Sequence, residues 1–313
     1  MTVHVLNAAP PPELAGALAR FEEQFTYPLG PSRTFRISHG DDYPRFFRAM
    51  GDGVCFVAER KDEVAGVVGA AIRPLRTLAG ATRSALYVGD MKLAPKARRL
   101  LTLPRLAQVV WPWARGRADT AFGVVMDGTR ITPPYYTGCL GIPLFREVGR
   151  IRVLRLAATA EDGESDWVAD GDRVASLHRR WTAGRYAGPG GDPFERSETQ
   201  PLWLSAPDDS ACGRLEDTRR AKRLIADDGE EMRSAHLSCF AYRDPIAGVA
   251  LLRQALRHAR NRGFPALFVA VPEPDGDTFV RAFAGAGLVV APATVYGAEL
   301  EPDPYWNIDT AEI

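Results

Sequence analysis

Four short blocks recur in the same order along this chain, and an ordered internal repeat restricts the fold more than any single motif does. Phe56 to Gly66 lies ungapped over Trp203 to Gly213. Each is an apolar run, a polar turn and a second apolar run, which reads as a hairpin. Arg83 to Pro95 matches Arg233 to Pro245, both beginning Arg-Ser-Ala and ending on Pro at the same spacing. A Pro cannot donate to a strand ladder, so each marks a strand end. After each Pro come a helical stretch and a buried strand, Ala121–Met126 and Ala266–Val271, which together make a βαβ-like unit. The fourth pair, Leu144–Arg150 and Ala282–Leu288, reads as a short helix closed by Gly before a last strand. At 313 residues the chain also exceeds the ~250–300 over which one core usually grows. The expected architecture is two tandem α/β (α+β) domains, 1–158 and 166–301, joined through the polar stretch 158–165 and followed by a patternless tail, 302–313.

Composition narrows the function classes. Basic and acidic residues number 39 each, so net charge draws the chain neither to nucleic acid nor to an anionic membrane. Hydrophobic residues at 46% and charged residues at 25% suit a soluble globular protein with a sizeable core. Cys55, Cys139, Cys212 and Cys239 form no CxxC pair and have no histidine at zinc spacing. They read as buried thiols of a cytoplasmic protein without a metal centre. The N-terminus shows no basic stretch leading into an apolar run, and the most apolar segment, Val64–Ile72, is too short to span a bilayer. His4, His39, His178, His236 and His258 are scattered and read as surface or satisfied core residues. No HExxH, GxSxG or P-loop pattern is present.

Local signals add detail. Asp41 or Asp42 reads as the N-cap of a helix over Tyr43–Met50. Pro112 kinks the helix that follows Pro95, and Trp111 and Trp113 beside it are expected to pack on the second domain. Tyr186–Pro201, rich in Gly, Pro and charge, reads as a long surface loop after a helix ending near Ala183. Strand alternation puts Val88, Asp90 and Lys92 on one face, with Tyr87, Gly89, Met91 and Leu93 on the other.

The first half reads as a strand at Val3, helices over Glu13–Phe25 and Tyr43–Met50, and two antiparallel strands. A long strand ending at Pro95, a helix, a strand, a short helix and a last strand follow. That order, with the run from Tyr87 to Leu103, resembles the GNAT family of acyl-CoA-dependent N-acetyltransferases. The run matches the family's central strand and phosphate loop in part, since Leu101 and Leu103 stand where the family places glycines. The resemblance implies two GNAT-like domains, each a mixed, mostly antiparallel twisted sheet flanked by helices. It implies acetyl-CoA or another acyl-CoA held by the first domain, and a small-molecule or peptide amine as acceptor; it is compatible with a homodimer. Backbone entering a helix can bind a pyrophosphate through unpaired N–H groups and the helix dipole. The residues placed there are Arg98, Arg99, Leu100, Leu101, Thr102 and Leu103, with Lys96 beside them, Thr102 capping the helix and Pro104 in its first turn.

For the chemistry, the resemblance implies thioester-polarising donors from the backbone of Met91, Lys92 and Leu93. Asp90 is the nearest carboxylate and reads either as the base for the amine or as an ion-pair partner of Lys92. The family's usual acid, a Tyr, is Phe145 in the first half and Phe283 in the second. Tyr135 and Tyr136 are the nearest substitutes, or else line a loop. The second half has lost five residues at the phosphate loop, because Pro95 and Ala121 are 26 positions apart but Pro245 and Ala266 only 21. The alternative reading is a catalytically inactive protein of this fold that binds a metabolite or a partner.

Overall fold

The computed structural model describes residues 1–29, 33–97, 101–139, 141–158, 167–285 and 287–313. The first half runs β1 (Thr2–Leu6), α1 (Pro12–Glu22), β2 (Tyr27–Leu29), β3 (Arg33–Ser38), α2 (Arg45–Arg48), β4 (Asp52–Arg60), β5 (Glu63–Arg76), β6 (Thr82–Leu93), α3 (Thr102–Ala114), β7 (Thr120–Met126) and β8 (Arg146–Ala157). The second runs α4 (Gly171–Trp181), β9 (Tyr186–Ala187), α5 (Pro193–Arg196), β10 (Leu202–Ser205), β11 (Ala211–Glu216), β12 (Arg223–Ala226), β13 (Ala235–Tyr242), α6 (Pro245–Asn261), β14 (Ala266–Pro272), α7 (Gly276–Ala282), β15 (Val289–Ala298) and β16 (Trp306–Asn307). The repeated hairpins are β4–β5 and β10–β11, and Pro95 and Pro245 both follow the strands they were expected to end.

The two halves share one sheet, mixed and mostly antiparallel, with strand order β1-β4-β5-β6-β7-β15-β8-β14-β13-β11-β10. The last strands are exchanged: β15 lies against β7 of the first half, and β8 lies against β14 of the second. Side-chain alternation along β8 serves both cores, Ile151 and Val153 facing one and Leu154 and Leu156 the other. A second exchange sits on the face of the main sheet, where β12 pairs with β3 in a three-stranded sheet with β2. Helices α1 and α2 cover one face of the first half, and α3 covers the other through Leu106 and Ala114. Gly69 on β5 lets α2 approach, since a Cβ there would lie 1.8 Å from the Phe47 ring.

Several expectations change. Residues 144–150 are not a helix: Gly149 lies inside β8, because the buried Trp306 indole packs against it, 2.1 Å from where a Cβ would stand. Residues 186–201 are not a surface loop. Their β9 pairs with β16, and Arg196 of α5 is fully buried between Glu216 and Glu312, at 2.8 and 3.2 Å. Trp113 packs edge-on to Phe56 of the first half, 5.6 Å between ring centres, and both Trp111 and Trp113 pack against a core that also takes in Ala298 of the second. Asp42 does not cap α2 with its side chain but pairs with Arg45 and Arg48 at 3.2 and 2.8 Å. Cys139 is exposed, while the other three cysteines are buried. Segment 302–313, patternless in sequence, carries β16 and a buried final turn. No helix among the described residues is long and apolar enough to cross a membrane.

Candidate functional site

The site is built where two parallel strands part. β6 and β7 are bonded only from Ala85 to Tyr87 against Thr120 to Phe122. From Val88 onward, the edge of β6 that faces β7 has no ladder partner among the described residues, although β5 still covers its other edge. The strands open onto a cavity of about 910 Å³ that passes through the sheet. One side is lined by Leu103, Leu106 and Val110 of α3; the opposite side by Tyr27, Phe35 and Leu224.

A β-bulge then redirects the central strand. Gly69 faces Gly89 but Val67 faces Lys92, so β6 carries an extra residue, and Asp90 adopts a left-handed φ of 50°. The simple alternation expected from sequence fails here. Val88 packs with Met91 and Leu93 on the α3 face, and Lys92 turns to the α1 face beside Phe25 and Tyr27. The second half repeats the device, with a register shift between β11 and β13 and a left-handed Cys239.

Asp90 and Lys92 are the centre of a buried polar cluster. The Lys92 ammonium lies 2.6 Å from Asp90 and 4.0 Å from Glu22, and the Tyr43 hydroxyl donates to Asp90. Glu22 accepts the His39 backbone N–H at 3.0 Å and meets its Nδ1 at 2.6 Å, and the His39 ring stacks on Tyr43 at 4.2 Å. Side-chain oxygen and nitrogen atoms of Glu22, His39 and Asp90 lie within 4.8 Å of one another, and the Lys92 ammonium meets two of the three, Asp90 and Glu22. Burial opposes the charge on Asp90, but Lys92 and then His39 outweigh it and hold the carboxyl below its ordinary range. Burial likewise opposes charge on Lys92, and the Asp90 carboxylate more than restores it. Nothing in the sequence near Glu22 or His39 connects them to Asp90, which lies 68 and 51 positions further on; only folding does.

The other expected site residues divide. Met91, Lys92 and Leu93 lie on β6 beyond the point of divergence, and Asp90, Met91 and Lys92 line the cavity. Tyr136 also lines it, its hydroxyl pushed up to about 12 by burial and then by Tyr296. Tyr135 stands 80% exposed, outside the lining. Phe145 lines the cavity, with its N–H donating to Thr137 Oγ1 at 3.1 Å. Arg98, Arg99 and Leu100 lie outside the described residues. Thr102 does not cap α3: it is the first helical residue, and its hydroxyl reaches back to the Ala97 carbonyl at 3.4 Å. Among the described residues, the N-terminus of α3 therefore has neither a side-chain cap nor an acidic residue in its first turn, a start suited to an anion. Leu101 is largely exposed and Leu103 faces the cavity.

The corresponding places in the second half are filled by the chain itself. Helix α6 begins directly after β13, and Asp244 caps it by accepting the Ala247 N–H at 3.0 Å, so a carboxylate already occupies the anion position. β13 and β14 are bonded only at Ala235–His236 against Leu267–Phe268. The gap beyond receives the C-terminal segment. Asn307 donates to the Phe240 carbonyl at 3.3 Å, Asp309 accepts the Cys239 N–H at 2.8 Å, and the Thr310 hydroxyl donates to the Phe268 carbonyl at 3.3 Å.

No protein-family model matches the chain, and no curated protein matches it in sequence. Solved structures do match. One Saccharomyces cerevisiae N-myristoyltransferase with bound myristoyl-CoA superposes with a TM-score of 0.61 at 10% identity, over 96% of this chain and 84% of that one. A second, with myristoyl-CoA and inhibitors, gives a TM-score of 0.64 at 9% identity, over 99% and 84%. A Pyrococcus horikoshii protein provisionally described as an acetyltransferase gives 0.58 at 12% identity, over 99% and 95%. At these identities the likeness speaks for the fold. With the diverging central strands, the bulge and the repeated half, it shows that this chain has the GNAT fold, in two tandem copies built on one shared sheet.

Proposed function

We propose that the protein is an acyl-CoA-dependent N-acyltransferase whose first half holds the donor between β6 and β7. The observation that carries this reading is the opening between those strands: an unpaired strand edge, an uncapped helix N-terminus and a cavity of about 910 Å³ meet there. The matching slot of the second half is filled by residues 307–310. The solved neighbours described as acyltransferases, two of them holding myristoyl-CoA, support the same reading.

The chain's own groups suit acyl transfer to an amine. The amine nitrogen bonds to the thioester carbonyl carbon and the carbon–sulfur bond breaks with its electron pair going to sulfur. The two protons that an ammonium must shed leave to the thiolate and to water. Backbone N–H groups of β6 that alternate onto the open edge, that of Leu93 rather than that of Lys92, which faces β5, donate to the carbonyl oxygen as charge builds there. Asp90, ionised and facing the cavity, holds the incoming ammonium; with its pKa below the ordinary range it is an electrostatic anchor rather than a strong base. Phe145 cannot protonate the leaving thiolate, whose low basicity lets it depart unassisted, and Tyr136 is the hydroxyl along the lining. Acetyl-CoA is the simplest donor; the apolar lining also suits longer acyl groups.

The test is thermal denaturation with acetyl-CoA and dodecanoyl-CoA, followed by thiol release over a panel of amines. Saturating donor at about 100 times its Kd adds about 2.7 kcal/mol of stability. Replacing Arg98 and Arg99 with Ala is expected to remove that gain. No shift with any acyl-CoA would overturn the donor assignment, and a shift without thiol release from any amine would favour a binding protein with this fold.

A further inference from the structure

Across the sheet from α3, the cavity is lined by a histidine that the donor reading does not use. His236 of β13 is 5% exposed, and its ring stacks on Phe268 at 5.4 Å between ring centres. Phe268 packs on the core beneath α1 and α2, while Leu237, the next residue along β13, turns to the opposite core. The His236 Nδ1 meets the Thr310 hydroxyl at 3.0 Å, and that hydroxyl donates to the Phe268 carbonyl at 3.3 Å. A hydroxyl has one hydrogen to give, and a carbonyl can only accept. Thr310 therefore accepts from His236, the imidazole carries its proton on Nδ1, and Nε2 presents a lone pair. Among the described residues, no group donates to that Nε2. Burial, and then the Lys222 charge, lower the His236 pKa to about 3, so the ring is neutral at physiological pH.

The rest of this wall is apolar: Phe35, Ile37, Leu224 and Met232. Lys222 also lines it, with 6% of its surface exposed, but its ammonium is engaged, lying over the Phe46 ring at 4.6 Å and donating to the Ile313 carbonyl. The Asp90 charge acts on Lys222, and Lys222 acts in turn on His236, so the carboxylate and the imidazole stand along one lobe. A fixed lone pair in an apolar wall repels carboxylates and carbonyls and favours an O–H or N–H donor. Resting on the acyltransfer reading for its amine, we propose that His236 determines specificity, and that the acceptor is an apolar amine whose far end carries an O–H or N–H group that donates to His236 Nε2. Thr310 is its positioning residue. It belongs to the C-terminal segment that fills the second slot, so that one segment closes one half and fixes the tautomer read in the cavity of the other.

The experiment pairs amines that differ only in that donor: tyramine with phenethylamine, aminohexanol with hexylamine, and tryptamine with its ring-N-methylated form. Affinity is read by calorimetry on the full chain, and turnover by thiol release with acetyl-CoA and dodecanoyl-CoA. In at least one pair the amine that keeps the donor is expected to bind, and to turn over by kcat/KM, at least about tenfold better than its partner. His236→Phe, which retains a ring to stack on Phe268, should erase that preference through KM, and His236→Gln, whose amide oxygen is again an acceptor, should keep it. Thr310→Val should shrink the preference and Thr310→Ser restore it, a second comparison should His236→Phe not fold. Thiol release with equal kcat/KM within every pair, or a preference that survives His236→Phe, overturns the His236 assignment while acyltransfer stands. Tenfold tighter binding of the donor-bearing amines with no thiol release keeps the His236 assignment and sinks acyltransfer. Neither binding nor release sinks both.

Discussion

At the scale of single residues, the structural duty of Asp90 can be separated from the functional one proposed for it. Its carboxylate neutralises Lys92, a side chain only 5% exposed, so Asp90→Asn strands a buried cation. Removing one partner of such a pair costs about 3–5 kcal/mol. The expected result in urea is a loss of that order, largely recovered in Asp90→Asn/Lys92→Met, whereas turnover of the amine stays low in both. Turnover that recovers with stability would reduce Asp90 to a packing role. Lys222 makes a second prediction through pH. Its folded pKa of about 7 lies below the ordinary 10.5, so between those values the unfolded chain binds more protons and stability rises with pH. Below about 7 the full penalty is present, and above about 10.5 it vanishes. Lys222→Met should therefore stabilise the ligand-free protein most near pH 6 and progressively less toward pH 10, measured by the urea midpoint at each pH; a gain independent of pH would contradict the burial argument.

At the scale of elements, α3 and α6 are the same helix of the repeat with opposite starts. Asp244 satisfies the start of α6, and Asp244→Ala should cost about 1 kcal/mol of stability while leaving acyl-CoA affinity unchanged. The start of α3 has no such cap, so an acid placed there, Leu101→Asp, should weaken acyl-CoA binding by putting a like charge where the phosphates are drawn. Equal affinity for Leu101→Asp and the parent chain in a donor titration would place the phosphates elsewhere. The C-terminal segment is an element in the same sense. Trp306 is fully buried, stacked on Tyr186 at 4.3 Å and bonded through its indole N–H to the Val148 carbonyl at 3.0 Å. Trp306→Ala should cost about 3–5 kcal/mol by opening a cavity beside Gly149.

Over the whole molecule, exchange of β8 and β15 makes each half complete the sheet of the other. The largest core includes Phe47 and Val67 of the first half with Ala270 and Val295 of the second. Unfolding is therefore expected to be one transition, with coincident tryptophan fluorescence and far-ultraviolet circular dichroism curves. A fragment ending at residue 158 would leave β7 without β15 and expose Leu154 and Leu156, so it should be insoluble or unfolded. Two separated transitions would show that the exchange does not bind the halves into one cooperative unit.

What sequence alone carried was local and periodic. The hairpins, the strand-ending prolines, the helices after them and the buried strands could be read because turn chemistry and alternation act between near neighbours. The missing five residues before Ala266 showed which half lacks a loop. Alternation failed at Asp90 because a bulge is a two-strand event, set by Gly69 and Val67 on β5 as much as by β6 itself. The helix expected at Leu144–Arg150 became strand because Arg146 to Arg150 of β8 are bonded to β15, and pairing overrode a local Gly signal. The Glu22–His39–Asp90 cluster, the filling of the second slot by residues 307–310, and the arrival of Lys222 and His236 in the first half's cavity all join residues far apart in the chain. Only the tertiary structure could decide them, because each depends on which strands the two halves trade.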